Sequence, residues 1–215
     1  MVQQSISRVY RSRLRQQQAA QTRSKVVAAA AELFASQGYA RTTFAKIATA
    51  AGVSAETVQA HGPKAALLRA AFEYVAFGIT DQDSVFDLEL GRGLLAINDR
   101  DEAISYLVAA ATDMYGRGVS LIMALAGAAT VDPELGRYYA DVVADVTLQN
   151  RRLLAVCRDR GWIRDDIPID DIVETTAVLF SAETYHRIVH HDGMTVDTYR
   201  RWLRRMLDET VFQHG

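Results

Sequence analysis

Apolar residues recur at helical spacing along most of the chain. Near the N-terminus, an apolar stripe from Val26 to Phe34 fits one face of a helix that stops at Gly38. Near the C-terminus, the spacing i, i+3, i+4, i+7, i+8 and i+11 describes a longer stripe, formed by Tyr199, Trp202, Leu203, Met206, Leu207 and Thr210. β-branched runs are rare, and the chain has only three prolines. The pattern predicts an all-α fold.

Short helices are predicted after the first stripe and long ones after residue 98. The second helix begins after Thr42 or Thr43, either of which can cap it, and the third begins at Ser54 and is over by Gly62. A fourth covers about 64–77. The remaining helices are predicted at about 100–115, 119–130, 134–160, 170–190 and 195–212, which gives about nine in all. The connection at 78–98 is predicted to be looser, with room for one short helix.

The junction between the second and third helices has the residues of a tight helix–helix turn. Ala48 is small enough for two helices to approach closely, Gly52 permits a positive φ, and Val53 fills the angle between the helices. This is the physical requirement for a helix-turn-helix, whose second helix can enter the major groove of DNA. Many helix pairs with a purely structural role share this turn, so the pattern alone does not establish DNA binding.

Charge divides the chain into two unlike parts. The formal net charge is −2. Residues 1–70 hold ten Lys or Arg against two Glu, a net of +8, whereas residues 71–215 hold fourteen basic and twenty-four acidic residues, a net of −10. A basic segment joined to an acidic one indicates two tasks, one of them at a polyanion.

The residues around the turn resemble the N-terminal domain of the TetR family of bacterial transcriptional regulators. The matching positions lie in about 23–70 and are Arg23, Ala29, Ala30, Leu33, Phe34, Gly38–Thr43, Ile47, Ala48, Ala51–Ser54, Thr57, Val58, Lys64, Leu67 and Leu68. The Asp132–Leu135 turn, the Ser181–Tyr185 segment and the terminal apolar stripe are similar to the ligand-binding, dimerising half of that family. The resemblance implies a basic extension at 1–22, a helix-turn-helix domain at 23–66 and a ligand-binding and dimerisation domain at 67–215.

The resemblance also implies which residues contact operator DNA. The recognition helix is expected at about 54–61. Contacts to phosphate or base edges are expected from Tyr39, Thr42, Thr43, Ser54, Thr57, Gln59, His61 and Lys64. Gln59 can bond adenine through two hydrogen bonds, although Gln59 and His61 are equally interpretable as solvated polar residues, and Tyr39 as a packing residue. The family usually has aromatic residues where Gln59 and Gly62 stand, which puts the end of this helix and the role of Lys64 in question.

For the C-terminal half, the resemblance implies a homodimer whose affinity for a palindromic operator is lowered by a small effector. The expected function is ligand-released repression, with an activator as an alternative. A ligand cavity is expected near Met114, Tyr115, Met123 and Trp162. The dimer interface is expected on the last two helices, at Phe180, Tyr199, Trp202, Met206 and Thr210.

The N-terminal extension has two open interpretations. It carries Arg8, Arg11, Arg13 and Arg15 and has no acidic residue before Glu32. It either lies in a flanking minor groove or is a disordered tail. The same composition fits an organellar transit peptide less well than it fits a bacterial cytoplasmic protein.

Other chemistries are weaker alternatives. Gly91–Ala96 fits the pattern G-x-G-x-x-A of a nicotinamide-cofactor enzyme, but only if a strand precedes it. Glu183, His186, His190 and His191 have the spacing of metal ligands on a helix. The more serious alternative is a ligand-binding or interaction protein whose DNA-binding head has degenerated. The expectation is a protein that is not an enzyme and has no cofactor or metal.

Two further observations concern disulfide bonds and membrane association. Cys157 is the only cysteine, which excludes an internal disulfide, and a lone cysteine is more often a small core residue than a redox sensor. The longest uncharged run, 118–131, is shorter than the ~20 residues that span a bilayer. No membrane association is expected.

Overall fold

The computed structural model describes residues 2–77 and 85–213, with side chains within 17–76 and 90–213. Its helices are α1 Val2–Arg41, α2 Phe44–Ala51, α3 Ala55–Gln59, α4 Lys64–Phe77, α5 Val85–Ala96, α6 Arg100–Ala129, α7 Pro133–Asp159, α8 Ile169–Leu179, α9 Ala182–Tyr185 and α10 Val196–Thr210. A π-helical segment, His186–His191, follows α9 directly. The described residues contain no β-strand beyond one isolated bridge between Ile163 and Phe212. The predicted all-α fold is confirmed.

The chain forms two compact units, Met1–Ile79 and Thr80–Gly215. The boundary expected from the sequence, between residues 66 and 67, falls inside α4. Helix α4 packs along α1 within the first unit. Its Leu67 and Leu68 are buried there, at 1 % and 0 % exposed, which explains why this helix stays with the N-terminal unit.

The first unit has a small apolar core built from α1 to α4. Its fully buried side chains include Val26, Phe34, Ile47 and Val58. Helix α1 is interrupted at Gly38, whose φ of 75° and ψ of 172° are not helical, so the helix break expected at this glycine is present. The break turns the chain towards α2.

The second unit surrounds a single long helix. Helix α6 runs unbroken through Gly116 and Gly118, so the expected pair of helices at 100–115 and 119–130 is wrong. Gly116 faces a neighbouring helix, because a Cβ at this position would lie 3.8 Å from the Tyr185 hydroxyl. The expected helix at 170–190 is instead divided at Ser181, whose hydroxyl accepts a hydrogen bond from Thr184 N at 3.0 Å and begins α9.

Arginines tie the elements of the second unit together. Three of them join α6 to α10: Arg100 contacts Asp208, Arg200 contacts Asp113 at 3.1 Å, and Arg204 contacts Ser105. Arg160 donates to the carbonyls of Leu94, Leu95 and Ile97 at the end of α5. Within the described residues, no helix is both long and apolar enough to cross a bilayer.

Helix α5 removes the basis for a dinucleotide site at Gly91–Ala96. The preceding residues Val85–Leu90, which would have to be a strand, are helical. Gly93 has a packing role instead, since a Cβ there would lie 2.0 Å from the Tyr106 hydroxyl. The nicotinamide-enzyme alternative is therefore wrong, because it requires a strand before Gly91.

Candidate nucleic-acid interface

Helices α2 and α3 are joined by the turn that the sequence predicts. Gly52 ends α2 with φ 65° and ψ 37°, the left-handed conformation that favours glycine. Val53 N then donates to Ala48 O at 3.0 Å, which closes the turn over the small Ala48 side chain. The two helices meet here as a helix-turn-helix.

Helix α3 begins at Ser54, as expected. Ser54 Oγ accepts from Thr57 N at 3.2 Å and lies 3.1 Å from Thr57 Oγ1, so the two hydroxyls are linked. Ser54 is exposed and Thr57 half-buried, whereas Val58 is fully buried and anchors the helix to the core. One face of α3 is thus fixed to the unit while the polar face is accessible.

The two threonines before α2 have different environments. Thr43 is exposed and caps α2, accepting from Lys46 N at 3.3 Å. Thr42 is fully buried, and its hydroxyl hydrogen bonds with the Leu33 and Gly38 carbonyls at 3.1 and 2.9 Å. Thr43 lies where a phosphate contact is expected, but Thr42 is inside the unit and holds the α1 break.

Lys64 and Lys46 both reach back to the end of α1. Lys64 Nζ donates to Tyr39 O at 3.0 Å and lies 4.1 Å from the centre of the Tyr39 ring, a cation–π contact. Lys46 Nζ donates to Gln37 Oε1 at 2.6 Å and to Arg41 O at 2.9 Å. The sequence reasoning missed Lys46. The signal was a cation in the first turn of α2, where the helix dipole disfavours positive charge.

The end of the recognition helix differs from the family pattern in a way the backbone explains. Helix α3 ends at Gln59, two residues earlier than expected, although His61 N still donates to Val58 O at 3.0 Å. Gly62 has a φ of 116°, which an aromatic residue would adopt only with strain. Gln59 is exposed, while His61 is half-buried and its Nε2 has no hydrogen-bond partner among the described residues.

The basic side chains of this unit are largely free of acidic partners. Among its described residues, Arg69 and Glu73 form a side-chain ion pair at 3.2 Å. Arg23, Lys25 and Arg41 are exposed. Positive charge that is not neutralised inside the unit is available to phosphates.

The residues expected to line a ligand cavity all belong to the core of the second unit or pack against it. Tyr115 is buried at 4 % exposed, and its hydroxyl donates to the Phe180 carbonyl. Met114 and Met123 are partly buried on α6 and pack against the core. Trp162 lies after α7 and stacks under Arg160, with 4.8 Å between the guanidinium carbon and the ring centre.

The residues expected at a dimer interface are mostly engaged within the subunit. Tyr199 is fully buried, so it is not available to a second copy. Phe180, Trp202 and Met206 are partly buried against the subunit's own core, and the Thr210 hydroxyl donates to Met206 O at 2.6 Å. What α10 exposes is charged: Arg201, Arg205 and Glu209.

The metal and redox alternatives find no support in the described residues. The His186 and His190 rings are stacked, with centres 5.4 Å apart, rather than converging on a common point. Glu183 accepts from the Tyr139 hydroxyl at 2.9 Å, and no group of three potential ligands is found in the described part of the chain. Burial raises the pKa of Cys157 to about 11, which keeps it a thiol rather than a reactive thiolate.

These features define a class of protein: a helix-turn-helix DNA-binding head followed by a separate helical unit. Residues 26–71 match the profile of the family described as bacterial regulatory proteins, tetR family. Residues 26–71 therefore carry a DNA-binding domain of the TetR type, as the sequence resemblance indicated. No curated protein sequence shows a significant match to the chain.

Solved structures share the fold over both units. A transcriptional regulator from Saccharomonospora viridis in complex with choline is 19 % identical, with a TM-score of 0.71 over 89 % of this chain and 98 % of that one. A TetR regulator from Chloroflexus aurantiacus is 22 % identical, with a TM-score of 0.65 over 92 % and 100 % of the two chains. SmeT bound to triclosan is 20 % identical, with a TM-score of 0.65 over 90 % and 93 %. At these identities, the likeness establishes the fold.

Proposed function

We propose that the protein is a repressor that binds a palindromic operator as a homodimer and is released by a small molecule. The observation that carries the DNA-binding half of the proposal is the capped α3, whose polar face is accessible on a unit with exposed basic residues. Of the fold relatives, one is in complex with choline and another with triclosan. These complexes support a small-molecule effector without indicating which one this chain binds.

The proposed mechanism is a change in the distance between two recognition helices. A two-fold dimer reads a palindrome when these helices lie about 34–36 Å apart, one turn of B-DNA. An effector releases the protein only if it binds the non-binding conformation more tightly, and DNA then lowers the affinity for the effector by the same factor. In this mechanism, the effector moves α4 and thereby changes that distance.

The DNA contact is tested at Gln59. Fluorescence anisotropy against DNA flanking the coding region should show salt-dependent, sequence-selective binding by the wild-type protein. Gln59→Ala should relax specificity at one base pair by about 1–3 kcal/mol, because a bidentate amide–adenine contact is lost. Gln21→Ala, at an exposed glutamine of α1 outside the turn, is the matched control and should bind like wild type.

Two outcomes count against this proposal. If a folded dimer binds no DNA at low salt, the degenerate-head alternative replaces the regulator. If Gln59→Ala binds every sequence as the wild type does, DNA binding stands but the assigned recognition residue is wrong. Thr57, linked to Ser54, is then the next candidate on the same helix.

For the dimer, the exposed apolar residues favour α7 and α8 over α10. Val143, Val146 and Leu148 on α7 and Val178 on α8 are each 46–63 % exposed. Arg151 on α7 pairs with Asp170 in the acidic first turn of α8 at 2.9 Å within the subunit, and Arg152 is exposed. The interface proposed here therefore keeps α8 from the sequence expectation and replaces α10 with α7.

The dimer surface is tested by sedimentation velocity. Val178→Arg places a charge in the proposed interface and should convert the dimer to a monomer at micromolar concentration. Val131→Arg is the control, because Val131 is more exposed, at 76 %, and lies in the turn after α6. A Val178→Arg protein that remains a dimer contradicts the α7–α8 assignment.

A further inference from the structure

Four aromatic side chains form a connected cluster in the second unit. Tyr115 comes from α6, Tyr185 from α9, and Tyr199 and Trp202 from α10. The Tyr115 and Tyr185 ring centres are 5.6 Å apart, those of Tyr185 and Tyr199 4.9 Å, and those of Tyr199 and Trp202 5.9 Å. The three tyrosines are at most 4 % exposed, whereas Trp202 is half-buried.

The hydroxyls of this cluster are unequally satisfied. Tyr115 donates to the Phe180 carbonyl. Tyr199 Oη is completely buried and has no hydrogen-bond partner in the described part of the chain. The Tyr185 hydroxyl lies beside Gly116, where a Cβ would be 3.8 Å from it. Burying an unpaired hydroxyl is unfavourable, and phenylalanine would fill the same space without that cost.

A second buried polar atom without a partner among the described residues belongs to Arg200, the residue after Tyr199. Arg200 binds Asp113 and Asp197 through its terminal nitrogens, but its Nε is buried and without a partner among the described residues. An arginine nitrogen can only donate. Burial, with a smaller contribution from Tyr185, raises the pKa of Tyr199 far above its usual range, so this hydroxyl keeps its proton at any physiological pH. Donors without acceptors favour a ligand that supplies an acceptor oxygen.

The backbone next to the cluster is irregular. The π-helical segment His186–His191 begins directly after Tyr185, and none of its residues is buried. Short π-helical segments occur frequently at functional sites. Together with the orphaned hydroxyl of Tyr199, this segment marks the region as more than a well-packed core.

We infer that the junction of α6, α9 and α10 binds a small, flat, largely apolar molecule through a carbonyl or carboxylate oxygen that accepts from Tyr199. The aromatic rings supply the apolar contact, and Tyr185 and Arg200 are the neighbouring donors. The inference rests on the proposed function only in identifying this molecule as the effector, because binding itself does not require DNA.

The experiment compares three probes on the full-length protein by thermal shift and calorimetry. Acetophenone offers a carbonyl, benzoate a carboxylate, and ethylbenzene the same apolar body with no acceptor. The expected result is that acetophenone or benzoate binds about tenfold more tightly than ethylbenzene, since only the oxygenated probe pairs the buried donor. Whichever of the two binds more tightly identifies the acceptor. Equal binding of all three probes overturns the inference.

Tyr199→Phe tests the assigned donor. The substitution should leave the melting temperature of the unliganded protein unchanged or higher, and it should abolish the preference for the oxygenated probe. Tyr115→Phe is the matched control: it removes a hydroxyl that has a partner, so it should lower the melting temperature while the preference stays. A Tyr199→Phe protein that melts several degrees lower, or that keeps the preference, contradicts the inference.

The two proposals fail independently. A protein that binds operator DNA but shows no preference among the probes overturns the ligand site and leaves the regulator standing. A protein that prefers the oxygenated probe but binds no DNA at low salt overturns the regulator and leaves the ligand site standing. If both bindings occur, the bound probe should weaken DNA binding in wild type and not in Tyr199→Phe.

Discussion

Arginine and lysine side chains have different partners in the two units. In the second unit, α6 and α10 are bridged by Arg100, Arg200 and Arg204. These arginines bind acidic or polar groups of the same unit. In the first unit, Lys46 and Lys64 bind backbone carbonyls, which leaves their charge uncompensated. The same residue types therefore stabilise the fold in one unit and supply net positive charge in the other.

This difference explains how a nearly neutral chain can bind DNA. The net charge of −2 is the sum of a basic N-terminal part and an acidic remainder. A domain with excess acid is repelled by phosphate, so we expect the first unit to make the contacts with DNA. The comparison predicts that DNA affinity depends on salt far more than folding stability does.

The largest effect is expected from salt. If a dimer neutralises six to ten phosphates, DNA affinity should fall by about 10³–10⁵ between 50 and 200 mM salt, because counterions are released on binding. Over the same range, the free energy of unfolding should change by less than about 1 kcal/mol, since exposed ion pairs contribute little. Anisotropy titrations and urea denaturation measure the two quantities. A decrease in affinity of less than tenfold would contradict the assignment of the basic unit to phosphate binding.

A smaller and more selective effect is expected from two matched helix caps. Ser54 and Thr195 each accept from the backbone N–H three residues on, both at 3.2 Å, and each contacts the hydroxyl of that residue. Ser54→Ala and Thr195→Ala should each cost about 1 kcal/mol of stability. Only Ser54→Ala should also weaken DNA binding, because α3 is the helix that we propose to enter the major groove.

Chemical denaturation and anisotropy on both variants separate the two units. Equal losses of DNA affinity in Ser54→Ala and Thr195→Ala would show that DNA binding follows overall stability and not the local geometry of α3. A loss confined to Thr195→Ala would reverse the roles assigned to the two units.

The head was predictable from the sequence because its geometry is local. The αL turn at Gly52 and the caps at Thr43 and Ser54 depend on residues within four positions of each other. Thr42 was not predictable in the same way: it has the same side chain as Thr43, and only the fold around the α1 break buries it. Similarly, nothing local indicates that Lys64 binds a carbonyl 25 residues earlier.

The second unit was less predictable because the ends of its helices and the burial of their faces depend on contacts between residues far apart in the sequence. Gly116 and Gly118 are typical helix-ending residues, yet α6 continues through them, and Gly116 lies opposite Tyr185. Tyr199 belongs to an apolar stripe that has the periodicity of an interface, but α6 and α9 of the same subunit cover it. Periodicity identifies the apolar face of a helix and does not identify what covers that face.

The smallest effect is expected from two exposed ion pairs with i, i+4 spacing, one in each unit. Arg69–Glu73 is 3.2 Å long and Arg205–Glu209 3.9 Å, and all four side chains are about half exposed. Glu73→Gln and Glu209→Gln should each change stability by less than about 0.5 kcal/mol. Glu73→Gln adds one unit of net positive charge to the head, so at low salt it should strengthen DNA binding by about twofold, an effect that screening removes at high salt. Glu209→Gln should leave DNA binding unchanged, because the second unit stays away from phosphate. Equal strengthening by both variants, measured by anisotropy at 50 mM salt, would mean that DNA responds to the net charge of the whole chain and not to its division into two units.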